Sequence, residues 1–314
     1  AAMGNIALPE MRRFGYAPRL ATGVVAAGGT LSFLIPPSLG FVVYGMLTEQ
    51  SIGKLLIAGI LPGLLLAGAY AAVVIGWVKL NPALAPVSHE KVPFREKIVA
   101  LKGIWETALV FFIVMGGIYL GFINPTEAGA VGAFALFIIV MLKGRLNWRS
   151  IVTCLLEATR ITVMVLFLVA GATVFSYFLA LSTIPTTVSA WIAGLEVSRY
   201  VVLAIIIGIY FALGCFLDAV SMMVLTLPVV FPVIVTLHFH PIWFGVVAVL
   251  MMEAGLITPP VGLNVYTLAG IAKDVPMAEI FKGATPFLAS IIVTAVILTI
   301  FPKIAIFLPS LMGR

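Results

Sequence analysis

Charge is scarce in this chain. Of 314 residues, 12 are acidic and 18 basic, so 10% are charged, against about a quarter in an ordinary soluble domain. A chain so poor in charge and 62% hydrophobic cannot cover a soluble surface, and a polytopic membrane protein is what remains. Cysteine is nearly absent as well. Cys154 and Cys215 make no disulfide scaffold, and in their apolar or amphipathic helical surroundings they read as small apolar residues. His238 and His240 share a loop with no cysteine or further histidine nearby, which is not a metal-ligand spacing. The net charge of +6 is no nucleic-acid footprint, because the basic residues lie in short loops between apolar runs. The opening Ala1-Ala2-Met3-Gly4 lacks the charged start of a signal peptide and reads as the continuation of a longer polypeptide.

What the chain does have is proline, in a pattern that occurs twice. Pro9, Pro18, Pro36 and Pro37 recur 223 positions later as Pro232, Pro241, Pro259 and Pro260, and Gly59 and Pro62 recur one residue further on as Gly283 and Pro286. A fixed offset of this kind marks an internal structural repeat. Proline inside an apolar segment removes a backbone donor and breaks the helix. In lipid, a broken helix persists only where protein or a water-filled cavity satisfies the freed backbone. Paired interruptions at corresponding positions point to the central binding site of a secondary transporter.

At about 20 apolar residues per crossing, the candidate spans are 18–48 (broken at Gly28 to Pro37), 52–79, 105–122, 126–142, 161–182, 241–272 (broken at Glu253 to Pro260) and 284–302. Segment 199–236 carries Asp218 at its middle, with Pro228 and Pro232 beyond, and reads as a re-entrant hairpin whose tip is Asp218 to Ser221. Residues 1–13 match its outgoing arm and read as the tail of a first hairpin. Stretches 147–160 and 275–283 read as amphipathic helices on the membrane surface. The organisation is therefore residues 1–79, the later part of a first repeat; 80–160, a loop, two spans and a connector; and 161–314, the second repeat. Lys79, Lys91, Arg95, Lys97 and Lys102 crowd one loop; Lys143, Arg145, Arg149 and Arg160 another; and Arg12, Arg13, Arg19, Lys273 and Lys282 fall on the same side. That side is expected to be cytoplasmic. The five crossings between the hairpins make the second repeat inverted relative to the first. Tyr44, Trp77, Trp105, Trp148, Trp191 and Trp243 lie near segment ends and read as an aromatic belt.

Both breaks carry the ingredients of a cation site: glycines, hydroxyls and a Pro-Pro pair that strips backbone carbonyls of their helical donors. The first runs from Gly28-Gly29-Thr30 to Pro36-Pro37-Ser38, the second from Glu253 to Asn264. Asp218 and Glu253 are the acidic residues placed deep in spans, where carboxylates are costly and functional by default. Asp218 is expected to face the second break. Glu253 either joins it there or bonds structural backbone beside the break. Glu106, Glu127 and Glu157 sit near helix ends, as interfacial residues do. With no histidine inside a span and no second Asp near Asp218, an intramembrane hydrolase lacks its constellation.

Gly28-Gly29-Thr30…Ile35-Pro36-Pro37-Ser38, Ser51-Ile52-Gly53-Lys54…Ala58-Gly59-Ile60-Leu61-Pro62-Gly63, Gly214-Cys215-Phe216-Leu217-Asp218, His240-Pro241-Ile242 and Thr258-Pro259-Pro260-Val261-Gly262-Leu263-Asn264 together resemble the large membrane (M) subunit of tripartite ATP-independent periplasmic (TRAP) transporters. The resemblance covers essentially the whole chain, and places the family's first helices and first hairpin tip ahead of Ala1. It implies an all-α polytopic membrane protein of elevator type, with inverted repeats, re-entrant hairpins and broken transmembrane helices, in the bacterial inner (cytoplasmic) membrane. It implies no enzymatic activity and no cofactor beyond Na+ as coupling ion. The function it implies is sodium-coupled uptake of small carboxylates, with a small four-helix membrane (Q) subunit and a periplasmic substrate-binding protein as partners. Carried over residue by residue, one sodium site would use Gly28, Gly29, Thr30 and Ile35, and the other Gly214, Asp218, Glu253 and Thr258. Ser221, Ser38 and Asn264 would be substrate contacts. A stand-alone anion:sodium symporter of related architecture is the alternative in the same class.

Overall fold

The computed structural model describes residues 2–86, 93, 96, 104–194 and 196–312, and the regular structure among them is helical. Much of the basic loop 80–104, with Lys91, Arg95, Lys97 and Lys102, therefore lies outside the described residues. The chain forms two compact units, Ala1–Ser88 with Ser176–Ser310, and His89–Phe175 with Leu311–Arg314.

The smaller unit contains α6 (Trp105–Tyr119), α7 (Pro125–Leu142) and the first part of α8 (Trp148–Ser182). The turn between α6 and α7 is fixed by Pro125 in the first turn of α7 and by Glu127, whose carboxylate accepts from the Asn124 N–H at 3.2 Å. At the other end of the pair Glu106 and Lys143 meet at 2.5 Å. The surface helix expected over 147–160 and the span over 161–182 are one helix of 35 residues. No proline or glycine falls between Trp148 and Ala170, so nothing in the sequence stops the helix where its hydropathy changes. At 1.5 Å per residue it is about 52 Å long.

The larger unit holds both repeats. Its first part runs α1 (Ala2–Arg13), α2 (Pro18–Leu34), α3 (Leu39–Thr48), α4 (Ile52–Ala58) and α5 (Ile60–Leu80). Its second part runs α9 (Ile184–Ala193), α10 (Arg199–Gly214), α11 (Ala219–Thr236), α12 (Pro241–Leu256), α13 (Leu263–Ile271), α14 (Met277–Ile300) and α15 (Lys303–Leu311). The repeated prolines play the same parts in both copies. Pro18 and Pro241 open α2 and α12, where the missing N–H costs nothing. Pro9 and Pro232 lie inside hairpin arms, and Pro62 and Pro286 inside the spans that follow the breaks. The surface helix expected at 275–283 is instead the start of α14, which runs on unbroken.

The two repeats are inverted. At one end of the unit Arg12 pairs with Asp274 at 2.7 Å, the Ala17 N–H donates to the Leu84 carbonyl, and Arg19 lies over the Trp77 ring. The hydrogen bond from Arg12 holds the Asp274 carboxyl below the usual carboxylate range. At the opposite end Tyr44 donates to the Pro241 carbonyl, and Arg199 covers Phe239. Burial, and then the ammonium of Lys54, holds His240 below the ordinary imidazole value. So α2 starts from one end and α12 from the other. Arg12, Arg19 and Lys282 share the first end with Asp274 and Glu279.

Every residue of α12 from Ile242 to Leu256 is buried, as expected for a helix apolar all round. Around it pack helices of both repeats. Each hairpin arm leans on the other repeat's short half-helix: Phe231 of α11 meets Tyr44 of α3 at 6.3 Å between ring centroids, and Gly4 of α1 faces Leu268 and Ile271 of α13. Tyr44 and Trp243 are not belt residues. Both are fully buried, Trp243 donating to the Leu298 carbonyl, whereas Trp105, Trp148 and Trp191 are exposed.

Close helix approaches are made by glycine pairs. A Cβ on Gly23 would stand 2.3 Å from the Gly283 carbonyl oxygen, and one on Gly255 would stand 2.1 Å from that of Gly214. Small residues that let backbones touch are the main adhesive between helices in lipid. Gly28, by contrast, faces open space. Gly255→Ala is expected to destabilise the protein by about 1–3 kcal/mol through overpacking, while Gly28→Ala is neutral or gains up to about 1 kcal/mol of helix propensity. Thermal unfolding in detergent checks this, and equal midpoints for Gly255→Ala and the parent would remove the packing role. Topology is open to thiol labelling: single cysteines at His238 and at Lys79 are expected to be reached from opposite sides of the membrane, and labelling of both from one side would overturn the inverted arrangement.

Candidate functional site

The segment expected as the second hairpin folds as two helices, α10 and α11. Its arms α10 and α11 are joined by Tyr210 and Thr226, whose hydroxyls bond at 2.8 Å and which lie eight residues either side of Asp218. Its base closes where Tyr200 meets Phe239, with ring centroids 5.8 Å apart. The tip is Cys215–Asp218, one short turn between Gly214 and Ala219. Asp218 is the N-cap of α11. One carboxylate oxygen accepts from the N–H groups of Val220 and Ser221, each at 3.1 Å. This satisfies donors that have no helical partner and leaves the second oxygen free at the exposed tip. Cys215 is buried in the tip, its Sγ on the Phe211 carbonyl.

The tip is tied to the second break. The Val261 N–H donates to the Cys215 carbonyl at 3.3 Å. The break itself is Ile257–Gly262, shorter than the expected Glu253 to Pro260; Glu253, Ala254 and Gly255 remain in regular helix. Helix propagation ends only where donors fail. Pro260 has no N–H for the Leu256 carbonyl, and Val261 gives its own to Cys215 rather than to Ile257. The carbonyls of Leu256 and Ile257 thus lose their helical donors beside the hairpin tip. These are candidate oxygen donors absent from the sequence analysis, although the rule that proline at i strips the carbonyl at i−4 points to Leu256. Thr258 stands next to them, half-buried, its hydroxyl donating to the Ala254 carbonyl at 2.6 Å and keeping its lone pairs.

The first break is Ile35–Ser38, and here too the expected unwinding is too long: Gly28, Gly29 and Thr30 belong to α2. Two glycines are not enough to unwind a helix whose ladder donors are intact. Ser38 is buried and seals the gap from inside. Its hydroxyl donates to the Phe33 carbonyl, which Pro37 has left without a donor, and accepts from the Phe41 N–H at the start of α3. That hydroxyl is therefore engaged in capping rather than presented to a substrate. The repeat-equivalent of Ser38 is Val261, which has no hydroxyl and bonds the hairpin tip instead. The two breaks are thus closed by different means. Both Pro-Pro peptide bonds are cis.

Asn264, at the start of α13, donates its side-chain amide to the Ala26 carbonyl at 3.1 Å, in the space left by Gly29. It therefore joins the two repeats. Ser221 is half-buried one turn behind the tip. Thr30 and Glu253 are placed away from the breaks. Thr30 is fully buried, and its hydroxyl bonds the Ala27 carbonyl and the Tyr70 hydroxyl, at 2.8 and 3.0 Å. Glu253 is fully buried, and neither carboxylate oxygen has a hydrogen-bond partner among the described residues. Met251 and Gly255 share the face of α12 that touches Gly214; at 3.6 residues per turn, residue 253 lies about 160° from that face. Glu253 therefore does not converge with Asp218. Among the described residues no group of three His, Cys, Asp or Glu side chains forms a metal cluster. What the second site offers is two carbonyl oxygens without helical donors, a hydroxyl oxygen and one free carboxylate oxygen, the donor types of a hard cation.

The family model described as "Tripartite ATP-independent periplasmic transporter, DctM component" matches residues 1–304. The chain is similar to the C4-dicarboxylate TRAP transporter large permease protein DctM of Pseudomonas aeruginosa, 35% identical across 100% of this chain and 73% of that protein. It is 29% identical to the sialic acid TRAP transporter large permease protein SiaM of Vibrio cholerae, over 98% of this chain and 72% of the relative. It is 32% identical to the isethionate TRAP transporter permease protein DctMQ of Oleidesulfovibrio alaskensis, over 98% of this chain and 48% of the relative. With broken helices, hairpin and repeats in place and the family match running along nearly the whole chain, this protein belongs to the DctM component family of tripartite ATP-independent periplasmic transporters, as a multi-pass, non-enzymatic permease.

Proposed function

We propose that this permease takes up small organic acids across the bacterial inner membrane, driven by sodium and supplied by a periplasmic binding protein. The observation that carries the reading is the second hairpin tip held against an unwound stretch, where the Leu256 and Ile257 carbonyls, the Thr258 hydroxyl and the free oxygen of Asp218 lie in one region of the fold. The second sodium ion site comprises these groups with Gly214, whose lack of a side chain lets the tip approach α12. A cation there compensates the carboxylate, so that tip closure and ion binding are linked. The first site lies around Gly28, Gly29 and the Ile35 carbonyl. Ser221 and Asn264 flank the space for the carboxylate of the substrate. The names of the relatives, for C4-dicarboxylate, sialic acid and isethionate, support an organic anion as cargo. The name DctMQ supports a small Q subunit as partner. In this scheme the permease works by an elevator mechanism.

Asp218→Asn is a clean probe, because Asn caps a helix about as well as Asp while the charge is lost. Loss of one charge-assisted contact, about 1.5–3 kcal/mol, is expected to raise the half-saturating sodium concentration on the order of tenfold or more. Membrane insertion should stay unchanged. Initial uptake against sodium concentration in proteoliposomes holding the full permease and its partners measures it; an unchanged half-saturation and Hill slope would leave Asp218 a cap only. Dependence on delivery is tested separately. Free organic acid without binding protein is expected to give no sodium-driven uptake, and uptake at the full rate under those conditions would favour a stand-alone symporter.

A further inference from the structure

Glu253 is the one acidic residue among the described residues that is buried, and both its oxygens are without hydrogen-bond partners. The cations on neighbouring helices are engaged elsewhere. Arg19 lies over Trp77, Lys54 stands beside His240, Lys282 pairs with Glu279 at 2.8 Å, and Arg199 lies over Tyr200 and Phe239. The Tyr44 and Tyr210 hydroxyls are taken up by Pro241 and Thr226, and Asp218 caps α11 at the hairpin tip. Tyr70 is within electrostatic reach of Glu253, and Tyr70 is bonded to Thr30. The repeat offset of 223 makes Thr30 and Glu253 equivalent positions. The carboxyl group and the Thr30–Tyr70 pair therefore occupy matching positions of the two repeats, behind the helix faces that meet the breaks.

We propose that Glu253 is a proton-binding site at the contact between the repeats, holding a neutral carboxylic acid that belongs to neither sodium site. An ionised carboxylate buried without a counter-charge or donor is too costly to persist. Two species could neutralise it, a metal cation or a proton, and the donor set decides between them. A hard cation needs several oxygen ligands converging on it. Around Glu253 the helix is regular, so its carbonyls are committed to the ladder, and neither carboxylate oxygen has a hydrogen-bond partner among the described residues, so no set of oxygens converges there as a metal site needs. A proton needs no further ligand and removes the buried charge.

The test is infrared difference spectroscopy on the full-length permease in lipid nanodiscs at neutral pH. The wild-type protein is expected to show a carboxylic-acid C=O band that shifts on exchange into deuterium oxide, is lost in Glu253→Gln, and persists at a displaced frequency in Glu253→Asp. The band is expected to be the same in sodium and in potassium buffer. If Glu253→Gln does not fold, the displacement in Glu253→Asp decides the assignment. Absence of a band assignable to position 253 means an ionised carboxylate and overturns the proposal. So does a band present in potassium and lost in sodium, which would make Glu253 a sodium ligand. Neither result bears on whether Asp218 tunes the sodium dependence of uptake, so the two readings fail separately.

Discussion

Backbone polar groups inside a membrane have no water to turn to, and this constraint organises the molecule. Each Pro-Pro pair strands carbonyls in the apolar interior, and an unsatisfied group there costs several kcal/mol. The chain meets the problem twice and differently. At the first break Ser38 folds its hydroxyl back onto the Phe33 carbonyl. At the second, backbone of the hairpin tip comes to the break, through the Val261 N–H and the Cys215 carbonyl. A stretch of chain that is satisfied by another element, rather than by itself, is one whose satisfaction depends on where that element stands. This is what an ion site linked to a moving tip requires.

Glycine makes the arrangement geometrically feasible. The tip can reach the break because Gly214 and Gly255 let α10 and α12 touch backbone to backbone, and Gly23 and Gly283 do the same for α2 and α14. Apolar burial then fills the remainder around α12, with Trp243, Phe244 and Tyr210 fully enclosed. Among the polar groups, Asn264 joins the two repeats and the Thr30–Tyr70 pair joins α2 to α5, by hydrogen bonds that lie within the apolar interior, where no water competes for the donors.

Most of the architecture was legible in the prolines. The repeat, the opening of α2 and α12 at equivalent positions and both breaks follow from where Pro9, Pro18, Pro36 and Pro37 recur. The extent of the breaks did not, because glycine permits unwinding without compelling it: Gly28 and Gly255 stay helical while their neighbours still have donors. The helix faces of Thr30 and Glu253 were equally hidden, since a residue near a break in sequence is on the break only if its angle around the axis agrees. Surface helices at 147–160 and 275–283 were inferred from polarity, but polarity ends a span without ending a helix, and no breaker separates them from α8 and α14. Tyr44 and Trp243 looked like interfacial aromatics by position, whereas each finds a carbonyl partner, at Pro241 and Leu298, that allows full burial.

The exchange of supports between the repeats bears on biosynthesis. The half-helix α3 rests on α11, and α13 rests on α1, so the earliest part of the unit lacks one wall until a segment almost 200 residues downstream of Tyr44 has emerged. A ribosome delivers the chain in order, and the short apolar helix of ten residues must wait in the translocon or in lipid, flanked by a break that only Ser38 closes. The self-sealing device sits in the copy that is made first, and the device that borrows a partner sits in the copy made after its partner, since Cys215 leaves the ribosome before Val261. Order of synthesis and order of satisfaction agree.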